Sequence, residues 1–437
     1  MNISRLRGIG ALATAVLCLQ PLWAADLAVP PAEPPLIWKT PSGIGRFLSP
    51  DDPILQTGPA VVFAAKPDPA FIRNVAASID KVLTLLAEKS SPTDTQYYED
   101  GIWHCKTQAQ PGGWPYCAGP AGMAAVLWKW RQEHPETLDA AAKARQPWLR
   151  QTAIDTFERA LKDHQKPDGD LSDLGSSHRD FFTIDFITTY LLLKETLDEP
   201  TRQRWLSAMT RQVEFMMKSG DLPNPAAPGW KATDGWYTNG NVELSEAEWL
   251  YLVWQATGEQ KYKELFELQW KHTLSPIRVR WKGYGLFYLQ MPTKTDGSDG
   301  SAFVTEAGGL PGFDREYAKL QLSLTARLFL KSHDARALRL ANLLLNSLLP
   351  HLDQNTMILD ATYGSRHSTL TPFSSCAPEI LAWFGGRSDL LPMLPEHFSK
   401  GVLKPIMENA ELNNSDPDKY RSCGFDLGAL LEADLAR

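Results

Sequence analysis

The 437-residue sequence predicts an all-α chain. The expected architecture is an α/α toroid, a barrel of paired helices, with a small β-hairpin insertion. Three observations predict it. Helical periodicity recurs along most of the chain after residue 66. The helices come in consecutive pairs at a spacing of roughly 40 to 70 residues. Alternate members also differ in character. Segments 181–194 ("FFTIDFITTYLLLK") and 242–256 are apolar nearly all round, as an inner ring requires, whereas 199–219 and 259–273 are amphipathic, as an outer ring requires. A superhelical solenoid would also use paired helices, but the units vary too much in sequence for a regular repeat array.

The elements follow in order. Arg5 and Arg7 precede the short apolar run "GIGALATAVLCL", and "LWAAD" offers small residues for cleavage near Ala24 or Ala25. Residues 1–25 therefore read as a secretory signal peptide, and the protein is expected in the periplasm or outside the cell. Leu17 before Cys18 argues against a lipoprotein. Residues 26–66, rich in Pro and Gly, read as an extended N-terminal arm. Residues 67–437 read as one α/α-toroid catalytic domain. Helices are expected over 68–88, 119–133, 146–165, 178–196, 199–219, 241–257, 259–273, 314–332, 334–350 and 373–384. Their punctuation is visible: acid and Pro open 199–219 and Gly220 closes it, Gly258 makes a tight turn, and Asp334 starts the next helix. Strand signals are confined to "IRVRWKGYGLFYLQMP" (277–292) and "TMILDATYG" (356–364).

Composition excludes several function classes. The net charge of −7 becomes about −9 once the signal arginines leave, a poor basis for nucleic-acid binding. After the signal no run of about 18 apolar residues occurs, so no membrane span is expected. Neither CxxC nor HExxH occurs, and "KPDGDLSDLG", with Asp168, Asp170 and Asp173, lacks the full calcium-loop pattern, so no metal or cofactor is expected. Cys105, Cys117, Cys376 and Cys423 remain after processing. Three pairings are possible. Cys105 with Cys117 and Cys376 with Cys423 are favoured, because each closes a modest loop. The chain is expected to act as a monomer.

Five constellations could carry chemistry. In "DGWYTNGNVELSEAEWLYL" (234–252), Trp236 and Tyr237 could stack on sugar rings, and Asn239 and Asn241 could donate to a carboxylate. Asn-Gly is also a turn signal, and Asn241 is a good N-cap for the helix that follows. In "GGLPGFDREYAKLQLSL", Arg315 and Tyr317 sit in a first helical turn, where an Arg is unfavourable with the helix dipole and so suggests anion binding. Tyr317 beside Arg315 could act as base or acid. "DATYGSRHSTLTPF" carries Arg366 and His367 on a polar loop, and "GSSHRDFFTIDF" places His178 and Arg179 at the start of an inner helix. "RVRWKGYGLFY" interleaves Arg280, Trp281 and Tyr284 in the best local basic patch. Each segment also has a plain structural reading as cap, loop or packing. Most of them lead into inner helices and would converge on one end of a toroid, which favours a single site.

With "YTNGNVELSEAEWLY", "PGFDREYAKLQLSL" and "YGSRHSTLTPF", the chain resembles polysaccharide lyases that cleave uronic-acid polymers such as alginate and glucuronan. The resemblance implies that Asn241 or Asn239 neutralises the substrate carboxylate, Tyr317 serves as base and acid, and Arg315, Arg366 and His367 support them. It implies an acidic polysaccharide as substrate. No His stands beside the Asn pair, so Tyr and His both stay open as the base. The alternative is a toroidal glycoside hydrolase using two of Asp185, Asp234, Glu243 and Glu246, with Glu246 on an apolar face suited to a raised pKa. A third reading is a periplasmic carbohydrate-binding protein without catalysis.

Overall fold

The computed structural model describes residues 37–40, 43–47, 65–94, 97–107, 110, 117–175, 178–230, 240–273, 286–290, 302–304, 315–361, 369–412 and 423–436. Helices α1 (Pro69–Lys89), α2 (Ala118–Glu133), α3 (Ala140–His164), α4 (His178–Leu193), α5 (Glu199–Ser219), α6 (Gly240–Thr257) and α7 (Gln260–Thr273) come first. They are followed by α8 (Arg315–Ser332), α9 (Ala335–Leu348), α10 (Ala377–Trp383), α11 (Lys404–Leu412) and α12 (Cys423–Leu435), with a π-helical run His397–Leu403 entering α11. Helix α2 packs on α4, α4 on α6, α6 on α8, α8 on α10, α10 on α12, and α12 back on α2. That closed circuit is the inner ring of an α/α toroid. Helices α3, α5, α7, α9, α11 and α1 lie outside it, each against inner neighbours or the adjoining outer helix.

The two rings differ as their sequences demand. In α4 every residue from His178 to Tyr190 is buried, because both faces of the helix are covered. In α5 the buried set is Thr201, Trp205, Ala208, Met209, Gln212, Val213 and Met216, a stripe at helical spacing. Between α3, α4 and α5 the rings of Phe157, Phe186 and Trp205 interlock, with centroids 5.5 Å apart for the first pair and 5.2 Å for the second. Helix starts are fixed by aspartates: Asp198 accepts from the Thr201 N–H at 2.7 Å and Asp334 from the Arg336 N–H at 2.8 Å. Each such cap is worth about 1 kcal/mol. Gly220 ends α5 at φ 85° and Gly258 turns the chain into α7 at φ 72°, a region that favours glycine. Helix α3 begins earlier than its apolar pattern suggests and runs through Pro147.

Three small sheets decorate the rings. Strands β1 (Ile37–Thr40), β2 (Gly43–Phe47), β5 (Leu286–Gln290) and β6 (Ala302–Val304) form an antiparallel sheet in that order. The expected hairpin insertion thus pairs with the N-terminal stretch, which is not wholly an extended arm: Ile44 lies opposite Gln290 and Phe47 opposite Phe287. Strands β3 (Tyr97–Glu99) and β4 (Ile102–His104) form a hairpin. Strands β7 (Leu352–Asp353), β8 (Ile358–Ala361) and β9 (Thr369–Pro372) form the third sheet. Lys319 of α8 anchors β9, donating to Thr371 Oγ1 at 3.1 Å and to the Pro372 carbonyl at 2.9 Å.

The Cys105–Cys117 disulfide joins the end of β4 to the start of α2. The second expected pairing is not made. Cys376 is a free, buried thiol whose backbone N–H donates to Asp426 Oδ1 at 2.9 Å. The side chain of Cys423 lies outside the described residues. Loop length alone was a weak guide there, since a disulfide needs a specific Cβ approach. Among the described residues no helix is long and apolar enough to cross a membrane.

Candidate functional site

Each inner helix from α2 to α10 is followed by an outer helix that returns before the next one, so the inner helices run parallel and their N-termini share one end of the toroid. We call that end the mouth. Beneath it lies a buried ionic cluster. Glu248 of α6 reaches Lys331 Nζ at 2.7 Å and Arg327 Nε at 3.4 Å, both on α8. Glu432 of α12 reaches Lys331 at 3.4 Å and Arg327 at 3.6 Å. Helices α6 and α12 stand on opposite sides of the ring, so these groups can meet only in its lumen. Asp185 of α4 belongs to the same cluster. Burial pushes its carboxyl up to about 8, helped by Glu432 and Glu248 and opposed by Arg327 and Lys331. Burial would also raise Glu432, but Lys331 and Arg327 hold it below the usual value. Burial works against the charge of Arg327, but Glu248 and Glu432 outweigh it and raise its pKa.

The lumen-facing residues set the phase of each helix. A step of seven residues returns to nearly the same face about 10.5 Å along the axis. Asn241 precedes Glu248 by seven and His178 precedes Asp185 by seven. Both therefore stand on lumenal faces at the mouth, on adjacent helices. Asn241 is 5% exposed, and its side-chain oxygen finds no partner among the described residues. It was expected as the N-cap, but α6 already begins at Gly240. Its side chain is thus left over from capping. The helix N-terminus nearby carries partial positive charge, which suits an anion.

Two predicted residues point elsewhere. Arg179 is buried and pairs with Asp221, beyond the C-terminus of α5, at 2.7 Å. It belongs to a second cluster, between the rings rather than in the lumen. There Glu246 accepts from Gln269 Nε2 of outer helix α7 at 2.7 Å. Burial raises Glu246 well above the usual range, and Asp180 and Glu243 push the same way. Burial also lifts Asp180 to about 7 against the pull of Arg179. Burial thus favours the protonated form of Glu246, which faces the outer layer. Arg315 donates to the Asp360 carbonyl at 2.9 Å and lies 3.1 Å from His351 Nε2. It ties the first turn of α8 to the sheet β7–β8–β9, and burial together with Arg315 lowers the His351 pKa.

Tyr317 is the third residue of α8, hence at the mouth end beside α6, but its side chain lies outside the described residues. Trp236, Tyr237, Asn239, Arg280, Trp281, Tyr284, Arg366 and His367 lie outside them entirely, as does Asp234. Arg327, Lys331 and Glu432 are not among the residues the sequence predicts for the site. Their signal was present: ionisable groups in the middle of otherwise apolar helices, with Arg327 and Lys331 one turn apart. Two grooves of about 850 and 650 Å³ run between outer helices, α3 with α5 and α5 with α7, away from the mouth. No group of three or more metal-ligating side chains occurs among the described residues.

No family model matches the chain, and no curated protein does. Solved structures similar to it include a variant of the unsaturated glucuronyl hydrolase of Streptococcus agalactiae, at 13% identity and TM-score 0.41 over 86% of this chain and 85% of that one. A D-mannose isomerase is similar at 14% identity and TM-score 0.46, over 86% of this chain and 100% of that one. A glycoside hydrolase family 76 mannosidase of Bacteroides thetaiotaomicron is similar at 15% identity and TM-score 0.40, over 83% and 98%. What each acts on is a property of that protein.

Proposed function

We propose that the chain is a secreted carbohydrate-active enzyme working at the mouth of the toroid, and that it is a polysaccharide lyase. Its substrate is a uronic-acid polymer of the glucuronan or alginate type, cleaved by β-elimination. The observation that carries this reading is the place of Asn241: a buried amide on the lumenal face at the N-terminus of an inner helix, where its side-chain N–H can donate to a substrate carboxylate. A C5 proton next to a carboxylate is weakly acidic because the enediolate gathers negative charge. An amide N–H and a helix N-terminus aimed at that carboxylate stabilise the charge as it develops, as an oxyanion hole does. Tyr317 is the base and acid of the scheme, with Arg366 and His367 in support. Arg315 acts through the Asp360 carbonyl, just ahead of the 362–368 stretch, as a positioning residue. Trp236, Tyr237 and Asn239, together with Arg280, Trp281 and Tyr284, are the substrate-binding residues of the scheme. The protein acts as a monomer.

The test is incubation with alginate, glucuronan, pectate and hyaluronan while following the ultraviolet absorbance of a 4,5-unsaturated product. Asn241→Ala should lower turnover by about 10²–10³, the usual effect of losing one such donor. Tyr317→Phe should abolish turnover, and unchanged activity in it would sink the assignment. Chain shortening without new absorbance would favour the hydrolase reading. That alternative keeps a protonated lumenal acid in Asp185 but loses Glu246, which faces the outer layer.

A further inference from the structure

Asp185 has no part in the elimination just described, yet its setting is specific. It stands on the lumenal face of α4 and is 7% exposed. The groups facing it can be named from each packed element. From α2 comes Gly122, where a Cβ would lie 3.4 Å from the Asp185 carboxyl carbon. From α6 comes Glu248, from α8 Arg327 and Lys331, and from α12 Glu432. Two acids and two bases already neutralise one another in that cluster, through contacts of 2.7 Å to 3.6 Å. A carboxylate at Asp185 would leave the low-dielectric lumen with an uncompensated negative charge. A proton on Asp185 restores neutrality. Asn241 and His178 lie about two turns above, so a ligand passing between them meets Asp185 next.

We propose that Asp185 is a binding residue for acidic sugars: its protonated carboxyl donates an O–H hydrogen bond to the carboxylate of a uronic-acid unit inserted into the lumen. An acid paired with a carboxylate makes a short, charge-assisted bond. A neutral lumen flanked by Arg327 and Lys331 accepts an anion, whereas one carrying an ionised Asp185 repels it. Gly122 places no side chain against the carboxyl, where a Cβ would already be in van der Waals contact. The inference deepens the proposed function and rests on it for the identity of the sugar. No bond is made or broken, and the proton stays shared between the two carboxyls.

Glucuronate and glucose serve as probes, titrated calorimetrically into the full-length protein from pH 6 to pH 9.5. Glucuronate affinity should fall about tenfold per pH unit once Asp185 ionises, while glucose binding stays flat. Asp185→Asn, nearly isosteric with the protonated acid, should remove the pH dependence. Gly122→Val, which fills the space beside the carboxyl, should weaken glucuronate at least tenfold, with folding verified by circular dichroism. Identical glucuronate profiles in wild type and Asp185→Asn would overturn the assignment. If the polymers are cleaved and that result still holds, Asp185 alone is misassigned. If glucuronate does not bind and no polymer is cleaved, the uronic-acid reading falls with it.

Discussion

Replacing Asp185 with Asn should make the protein's stability less dependent on pH, in a direction that its burial sets. The unfolded carboxyl titrates near 3.8 and the folded one near 8, chiefly because burial disfavours the charge. Between those values the folded chain holds a proton that the unfolded chain has lost. Wild-type stability must then fall as pH rises through that window, by about 1.4 kcal/mol per pH unit for one proton. Below about pH 4 both states are protonated and the effect vanishes; above about pH 8 it is complete. The asparagine carries no titrating proton. Any constant difference in hydrogen bonding shifts its curve without tilting it, so the slope is the observable. Across 3.2 pH units from 3.8 to 7, the variant should gain about 4 kcal/mol on the wild type. Urea unfolding followed by tryptophan fluorescence, at half-unit steps from pH 5 to pH 8, measures this. Parallel curves for the two proteins would refute the claim that Asp185 is protonated in the fold.

Three further outcomes follow from named contacts. Glu248→Gln removes the 2.7 Å partner of Lys331 and the 3.4 Å partner of Arg327. It should cost about 3–5 kcal/mol in denaturant unfolding and abolish the Asp185 slope, because Asp185 then ionises in its place. Opening the Cys105–Cys117 bridge, by reduction or as the double serine variant, should cost about 3 kcal/mol, since it closes a loop of 12 residues. His397 is fully buried, with Nδ1 2.7 Å from Glu379 Oε1 and Nε2 2.8 Å from the Phe373 carbonyl. Burial works against its charge, but Glu379 prevails and raises its pKa above 6.5. Its stabilisation is therefore fully present below about pH 6.5 and lost as pH rises through the folded value. The stability gap between wild type and Glu379→Gln should be wider at pH 5.5 than at pH 8.5 by more than about 1 kcal/mol, and an equal gap would refute the charged pair.

The helices were legible because local rules sufficed. Asp198, Pro200 and Gly220 bound α5, and its amphipathic stripe declares an outer helix. Helix α4, buried along its length, declares an inner one. Long-range pairing was not legible. Nothing local in 277–292 says that its strand pairs with residues 43–47, some 240 positions away. The free thiol of Cys376 shows the same limit, because spacing carries no information about side-chain approach. Asn241 was misread by one residue at a helix boundary, the least determined part of any helix.

Helix α6 marks where sequence reasoning stops. Its wheel correctly groups Glu246 with Val242, Trp249 and Val253, and separates that face from the one bearing Asn241 and Glu248. In a helix that is apolar all round, nothing in the wheel says which face looks inward. The answer comes from partners on other helices. Glu246 bonds Gln269 of the outer ring, and Glu248 meets Lys331, Arg327 and Asp185 across the lumen. The wall of the inner ring thus separates two carboxyl clusters. The outer one has Arg179 among Asp180, Asp221, Glu243 and Glu246, and relieves its excess by keeping acids protonated. The lumenal one has two bases for three acids and needs only one proton, on Asp185. Asn241 lies two turns above that lumenal group and Glu246 faces away from it. On the proposed reading the acid that serves a ligand entering the mouth is Asp185, and Glu246→Gln should leave the pH dependence of ligand binding unchanged.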